Sequence, residues 1–585
     1  MNTLPSSVGA SRIELVIAED AKGTFFTEEE LAIAERSPNK VVTTRPSSLG
    51  YASIILIIVN RMVGTGIFRT PTTLAQGTHS TGYSLLFWGA GATVAICGTH
   101  VFAELGMTLP RLEIEGAEKD SVPRNGGEKN YLEYMIKSPQ RLATCLYGIP
   151  FIVLGTAAGN ALICAECLLR ASGNEPSKGA VRGLAVGIAS FACLLHATSR
   201  TGGIYLFNIF GVIKIGMLMA MFALGVAFAG GAFGGSTAIA SENLSIYNST
   251  ADVLGSAYGY AEAFLAVLFA FGGFNQATYV LGEVDNPRRK FKPTTIATVF
   301  AVSVLYMLVN LSYMMVVPEA DQFQDRPDTV AALFFVRIFG VANASRIQNS
   351  FMAFSSFGNI MVQTFTAARV KQEIAKEGIL PFTKFFANNK SLMPRLFAPG
   401  PKASPANDTS DATPVGALAL HWVFTLLLIL ATIPASTSDS YRIFVNLYSF
   451  VVDALFGFAI GLGIIILRLN KRVRWSQKSR SNKYISLATA VIFTLANCFP
   501  LVAIWLRPDG KSQITLPVEW WATGTIGIGL LGLALLYWLI LSYVVPRILG
   551  RDLEVERESQ FKRDHGYWVI WHEVTSVNWR TRSSY

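Results

Sequence analysis

The chain has 585 residues, of which 51% are hydrophobic and only 15% are charged, where a water-soluble domain carries roughly 25%. That balance excludes an ordinary soluble enzyme or binding module and points to a polytopic membrane protein. The net charge of +10 would suit nucleic acid, but the basic residues gather in alternate loops between apolar runs, which argues against a DNA-binding face.

Residues 1–48 form a polar tail of mixed charge that contains Lys22, Lys40 and Glu28-Glu29-Glu30, and disorder is the expected state. No cleavable signal peptide is visible, so the first apolar run must itself direct insertion. About twelve runs are long enough to cross a bilayer, whose hydrocarbon core of roughly 30 Å needs about 20 helical residues. These spans lie at roughly 51–74, 82–109, 139–169, 180–198, 202–231, 257–282, 294–317, 347–370, 413–434, 441–467, 484–506 and 518–545. They make one all-α transmembrane domain over 49–546, with a proline-rich loop at about 383–412. A charged tail over 547–585 carries Tyr567, Trp568, Trp571 and Trp579, aromatics that should pack at the membrane face or against the domain.

Arg111, Lys119, Arg124, Lys129, Lys137, Arg288, Arg289, Lys290, Lys292 and the basic 468–483 segment fall on one side of such a domain. The loops at 75–81 and 232–256 on the other side contain no Lys or Arg. This asymmetry puts both termini in the cytosol. The glycosylation sequons Asn243-Leu244-Ser245 and Asn248-Ser249-Thr250 then lie outside, open to glycans, and Asn407-Asp408-Thr409 lies inside. All six cysteines fall within spans, so no extracellular disulfide framework is expected, and Cys164 and Cys167 read as small packing residues.

Two spans are broken at their middles by glycine. Span 1 holds Met62-Val63-Gly64-Thr65-Gly66-Ile67-Phe68, and span 6 holds Phe269-Ala270-Phe271-Gly272-Gly273-Phe274-Asn275. In lipid, a broken helix leaves N–H and C=O groups that protein, water or ligand must satisfy. Either glycine pair alone could be a close-packing contact; two in register point to a site. Breaks in spans 1 and 6 imply a repeating unit of five spans, and because five is odd the second copy enters the membrane inverted, giving a 5+5 inverted repeat with two discontinuous helices. After the first break, N–H groups face the midplane and favour an anion; before the second, free carbonyls face it and favour a cation. An α-amino acid zwitterion satisfies both. Phe269, Phe271 and Phe274 surround the second break, where a ring can close a side-chain pocket, although packing accounts for at least one of them.

Lys214 sits inside span 5, about 13 residues in, as deep as Gly64 in span 1. At 1.5 Å per residue both lie roughly 20 Å from the membrane face, so the lysine is level with the break and is a candidate for proton coupling. The competing reading is a structural hydrogen bond to unwound backbone. Arg61 could belong to an inner gate, Glu104 and Glu283 should pair with basic loop residues, and Glu166, Asp453, His100 and His196 are assigned no role.

Several segments resemble the amino acid, polyamine and organocation permeases, specifically the L-type amino acid transporter branch, and most closely the fungal methionine permeases. They are 60–68 (N-R-M-V-G-T-G-I-F), 123–131 (P-R-N-G-G-E-K-N-Y), 210–214 (F-G-V-I-K), 282–287 (G-E-V-D-N-P) and 377–382 (E-G-I-L-P-F), and they run through most of the membrane domain. The resemblance implies that Thr65 and Gly66, beside Gly64, hold the substrate carboxylate. It implies that Met62, Phe269 and Gly272 supply carbonyls to the ammonium group, with Phe269 as gate ring and Asn275 supporting the turn at Gly273. Lys214 matches the family's lysine in span 5. It also implies a proton symporter of the plasma membrane, with ubiquitin ligase adaptors acting on the cytosolic tails. Animal members join a heavy chain through a cysteine after span 3, but residues 170–178 contain none, so no such partner is expected. The 269–274 segment is closer to the general L-type sequence than to a methionine permease, which bears on the pocket.

The expected function is proton-coupled import of neutral L-amino acids, methionine foremost, by alternating access. No cofactor beyond the coupling proton and no metal are expected. The rivals are a permease for another amino acid or organic cation, such as GABA or choline, and a receptor that binds amino acids without net flux. An enzyme is disfavoured because no catalytic constellation lies near the midplane.

Overall fold

Each predicted span is a helix or a pair of helices in the computed structural model, which describes residues 26–114, 117–245, 257–323, 329–389, 412–507, 519–564 and 567–581. Eight described helices are long and apolar enough to cross a membrane alone, and the bent pair Tyr51–Met62 and Gly66–Thr78 makes a ninth. The remaining spans are shorter, as in Val415–Ala431, or more polar, as in the 35-residue Val341–Ala375 of span 8. Spans 5 and 12 keep large apolar side chains such as Val212, Met219, Leu533 and Leu536 exposed, a surface that only lipid covers comfortably.

The two glycine breaks are present and adjacent. Span 1 bends by 40° between Met62 and Gly66. Span 6 runs as Ala257–Ala270, loses helical form through 271–275, and continues as the 3-10 segment Gln276–Glu283. The second half of span 1 packs against the first half of span 6. At their crossing a Cβ on Gly66 would come within 2.9 Å of the Ala270 Cα, so glycine is required by backbone contact. Gly273 needs glycine for another reason: its φ of +99° lies in the left-handed region.

Two further irregularities have no glycine pair to announce them. Span 3, expected to be continuous, is interrupted at Gly155, Thr156 and Ala157 between Leu142–Leu154 and Ala158–Ala171. Gln363 of span 8 satisfies the break by donating to the Thr156 carbonyl at 2.8 Å. Span 10 widens into π-helical turns over Ser449–Leu455, between Thr437–Tyr448 and Phe456–Leu469.

The tails form structure of their own. The N-terminal segment expected to be disordered contains, in its described part, a helix Glu28–Arg36 capped by Thr27 and a strand β1, Lys40–Thr44. The loop between spans 2 and 3 carries a hairpin of β2, Arg111–Ile114, and β3, Ala117–Ser121. The C-terminal tail is a long hairpin of β4, Arg551–Asp564, and β5, Tyr567–Thr581. β1 pairs with β5 to give a three-stranded antiparallel sheet in the order β1-β5-β4, with Val42 opposite Val574. Both tails therefore lie on one side, called here the termini side.

A buried charge cluster ties this sheet to the membrane domain. Glu373 at the end of span 8 accepts from Lys376 at 2.7 Å and Arg124 at 3.3 Å, and Glu573 of β5 takes Lys376 at 2.8 Å and also Arg124. Arg557 of β4 meets Glu377 at 2.5 Å, and Lys129 pairs with the same carboxylate. Burial would lower the Arg557 guanidinium, but Glu377 and Glu373 outweigh it and hold that group above its ordinary value.

Candidate functional site

A cavity of about 850 Å³ opens on the side opposite the termini and reaches down to Phe269, Gly272 and Asn275. Below it lies a second space of about 70 Å³, lined by Gly64, Thr65 and Gly66 from span 1 and Phe269, Ala270 and Gly272 from span 6. Phe269, Gly272, Tyr441 and Asp453 line both, so the Phe269 ring stands where the wide cavity narrows onto the two breaks. Phe271 borders the wide cavity but is buried, with its ring edge-on to Trp88 at 5.7 Å and against Tyr306 at 5.2 Å. Phe274 packs with Phe102 and Phe493.

The backbone ends at the breaks are polarised as the helix directions require. The 13-residue second half of span 1 begins at Gly66, and no side chain caps its first turn. Phe68 and Arg69 N–H donate to the Thr65 carbonyl at 3.2 Å, which leaves the N–H groups of Gly66 and Ile67 available to an anion beside Thr65, whose hydroxyl is hydrogen-bonded to Tyr441 of span 10. From span 6, the Phe269 carbonyl accepts only the Gly272 N–H among the described backbone bonds, at 2.9 Å, which leaves a lone pair for a cation. Met62 differs from its expected role. Its carbonyl already accepts Tyr306 Oη at 2.6 Å and the Gly64 N–H at 2.8 Å, which fills both lone pairs, so Met62 lines the space without a carbonyl to offer.

Lys214 is wholly buried, and its Nζ donates to the carbonyls of Asn60 and Val63, both at 2.7 Å. Ser355 Oγ of span 8 donates to the same Val63 carbonyl at 2.9 Å. The Lys214 amine thus sits where span 1 comes apart and ties it to span 5. Tyr306 of span 7 does the same between breaks, its hydroxyl lying 2.6 Å from Met62 O and 3.2 Å from Ala270 O. One hydroxyl proton serves two carbonyls, one from each broken span.

The floor on the termini side is polar. Arg61 reaches Asn359 Oδ1 at 3.3 Å, lies 5.7 Å from the centre of the Tyr448 ring, and is the cation acting on Asp453. Asn275 sits in the second break, accepts Thr278 N–H at 2.8 Å through its carbonyl, and donates its side-chain amide to Glu128. Asp453 and Glu128 are cavity residues that the sequence reading left without a role; the available signal was a carboxylate within an apolar run for Asp453, and the glycine pair before Glu128.

Residues away from the cavity have ordinary partners. Glu104 pairs with Arg468 at 2.5 Å and Trp475 Nε1 at 2.8 Å, and Glu283 with Arg200 at 2.8 Å and Arg369 at 3.1 Å. Glu166, by contrast, lines the wide cavity, where it pairs with Arg170, another lining residue, at 3.0 Å. No group of metal-ligating side chains occurs among the described residues. Asn243 overturns one expectation: it is buried, donates its amide to the carbonyls of Met314 at 2.7 Å and Val317 at 2.8 Å, and so is closed to glycosylation. Asn248 and Asn407 lie outside the described residues.

Comparison with known proteins agrees with this geometry. The family model described as amino acid permease matches residues 49–531. The chain is 30% identical over 503 residues to a high-affinity methionine permease of Saccharomyces cerevisiae, covering 85% of this chain and 80% of that protein. It is 26% identical over 370 residues to a low-affinity methionine permease of the same yeast, covering 62% and 64%. It is also 25% identical over 460 residues to the b(0,+)-type amino acid transporter 1 of Mus musculus, covering 78% and 80%.

Proposed function

The chain belongs to the amino acid permease family, a transporter and not an enzyme, and we propose that it imports neutral L-amino acids, methionine foremost, together with protons. One observation carries the reading: uncapped N–H groups of span 1 and the carbonyl end of span 6 face one small space beneath a large open cavity. A zwitterion bridges these ends with its carboxylate at Thr65 and Gly66 and its ammonium group at the carbonyls of Phe269 and Gly272. A substrate with only a cation leaves the span 1 end without a partner, which disfavours choline.

The site works by alternating access, with both termini in the cytosol and the large cavity facing outward at the plasma membrane. Phe269 closes over bound substrate. Lys214 couples the cycle to protons through the first break: charged, it holds two carbonyls by charge-assisted hydrogen bonds, and neutral, it keeps two N–H donors but loses the charge that strengthens both contacts. The membrane potential adds drive, since each charge crossing about 100 mV yields about 2.3 kcal/mol. The tails on the cytosolic side are where a ubiquitin ligase adaptor would act, and no disulfide-linked heavy chain takes part.

Radiolabelled uptake in a permease-deficient fungal cell, competed against a panel of amino acids, tests this. Methionine and other neutral amino acids should compete, and uptake should rise as the medium is acidified. Uptake of GABA or choline alone would refute the substrate class, and binding without counterflow in proteoliposomes would establish a receptor. Glycan attachment at Asn407 would invert the orientation.

A further inference from the structure

Of the buried carboxylates on the termini side, Glu104, Glu283, Glu373 and Glu573 each meet lysine or arginine. Glu128 does not follow them. It is 1% exposed, lines the floor of the large cavity, and opens the connecting helix Glu128–Met135 directly after Gly126 and Gly127. That helix lies between spans 2 and 3, outside the spans themselves. One carboxylate oxygen accepts Asn275 Nδ2 and, at 3.2 Å, Tyr279 Oη; the other accepts Tyr147 Oη at 3.2 Å.

The titratable groups that face Glu128 are Tyr147 from span 3, Tyr279 from span 6, and Asp453 and Tyr448 from span 10, with Tyr131 on its own helix. None of them is a cation. The next residue, Lys129, turns away to Glu133 and Glu377. Burial pushes the Glu128 carboxyl up to about 7, with Asp453 adding to the rise and the hydrogen bonds from Asn275 and Tyr279 only partly opposing it. A carboxylate held this way, facing a cavity and touching the second break, fits neither a salt bridge nor a packing role.

We propose that Glu128 is a proton-binding site of the transport cycle and conveys its protonation to the second break through Asn275. The inference rests on the proton-coupled reading and deepens it: Lys214 acts on the break in span 1, and Glu128 on the break in span 6. As a carboxylate, Glu128 only accepts, and its three donors are satisfied. A proton arriving from water in the cavity forms one O–H bond and makes it a neutral acid. One neighbour must then become an acceptor. Asn275 does so by turning its amide to present Oδ1, and Asn275 also holds Thr278 N–H and Oγ1 at 2.8 and 2.7 Å through its carbonyl within the unwound segment. The same O–H bond breaks when the termini side opens, and the proton leaves to water there.

The test uses the full chain in proteoliposomes with radiolabelled methionine, comparing counterflow with accumulation under an inside-alkaline gradient. A gradient of about one pH unit supports about tenfold accumulation for one proton per substrate. For Glu128→Gln that accumulation should fall to equilibration, and the pH dependence of counterflow between about pH 6 and 8 should flatten. Glu128→Asp should restore accumulation with a displaced pH midpoint, a readout that a purely structural anchor would not move. Wild-type accumulation and pH profile in Glu128→Gln overturn the proposal, as does an unmoved midpoint in Glu128→Asp should the glutamine variant fail to fold. Failure of the broader reading shows first in the wild type: counterflow without gradient-driven accumulation refutes proton coupling and this site with it, and absence of both refutes methionine transport.

Discussion

Replacing Lys214 by methionine keeps an unbranched side chain one atom shorter and removes the charge and donors. The loss can be sized from its two contacts, 2.7 Å each, to carbonyls of Asn60 and Val63. Hydrogen bonds from a charged group contribute about 1.5–3 kcal/mol each, so two amount to about 3–6 kcal/mol. Val63 O keeps Ser355 Oγ at 2.9 Å, which places the loss toward the lower end. Even about 3 kcal/mol changes a conformational ratio more than a hundredfold, as much as the few kcal/mol that separate working states. Lys214→Met should therefore abolish methionine accumulation under an inside-alkaline gradient in proteoliposomes. Ser355→Ala, which removes one neutral bond of about 0.5–1.5 kcal/mol, should retain most of it. If Lys214→Met accumulates substrate like the wild type, the lysine neither couples nor braces the break, and the reasoning fails.

Other substitutions test neighbouring contacts. Gly66→Val forces a side chain into the crossing with Ala270; overpacking of this kind costs about 1–3 kcal/mol, and methionine binding by scintillation proximity should be lost. Tyr306→Phe withdraws the hydroxyl shared by Met62 O and Ala270 O, which should cost about 1–3 kcal/mol and lower the melting temperature of the detergent-solubilised protein; an unchanged value refutes the bridging role. Glu573→Ala leaves Lys376 and Arg124 buried with one carboxylate fewer, at about 3–5 kcal/mol, so hydrogen exchange in β4 and β5 should rise while that of span 8 changes less.

What could be read from the sequence follows from the range of the interactions. The breaks in spans 1 and 6 were legible because a glycine pair in an apolar run is a local signal, and the depth of Lys214 followed from helical rise alone. The break in span 3 was not, because Gly155 stands singly and the compensating donor, Gln363, lies 207 residues beyond Thr156. β1 was hidden in a polar tail, although Val41, Val42, Thr43 and Thr44 are β-branched; its partner strand begins more than 500 residues later. β4 and β5 read as charged tail because their charges are satisfied by one another and by Glu373 and Glu377, which no periodicity reveals. The Met62 carbonyl was misjudged for a related reason: Tyr306, which fills it, comes from span 7.

The contacts on the termini side also say what must move. Gln276–Glu283 is an eight-residue 3-10 segment, longer than such helices usually run, and Val280 within it leaves helical geometry at φ −119°. Its backbone is held from outside the span: Tyr279 O accepts Gly126 N–H at 3.1 Å, Gly282 N–H meets Asn125 Oδ1 at 2.9 Å, and Gly282 O takes Arg45 Nε at 3.0 Å. Leu49 N–H donates to Glu283 O at 2.6 Å, and Val284 O takes Arg45 at 3.0 Å. At about 0.5–1.5 kcal/mol for each of the three neutral bonds and about 1.5–3 kcal/mol for each of the two from Arg45, the five hold this half-span by about 5–10 kcal/mol, more than one small ligand contact supplies, so substrate and proton must act on it together. On the proposed cycle, opening toward the cytosol requires the half-span to leave the N-terminal tail and the loop between spans 2 and 3 together. Asn125, Gly126 and Glu128 all belong to that loop, so the grip on the half-span and the carboxylate beneath Asn275 are parts of one element.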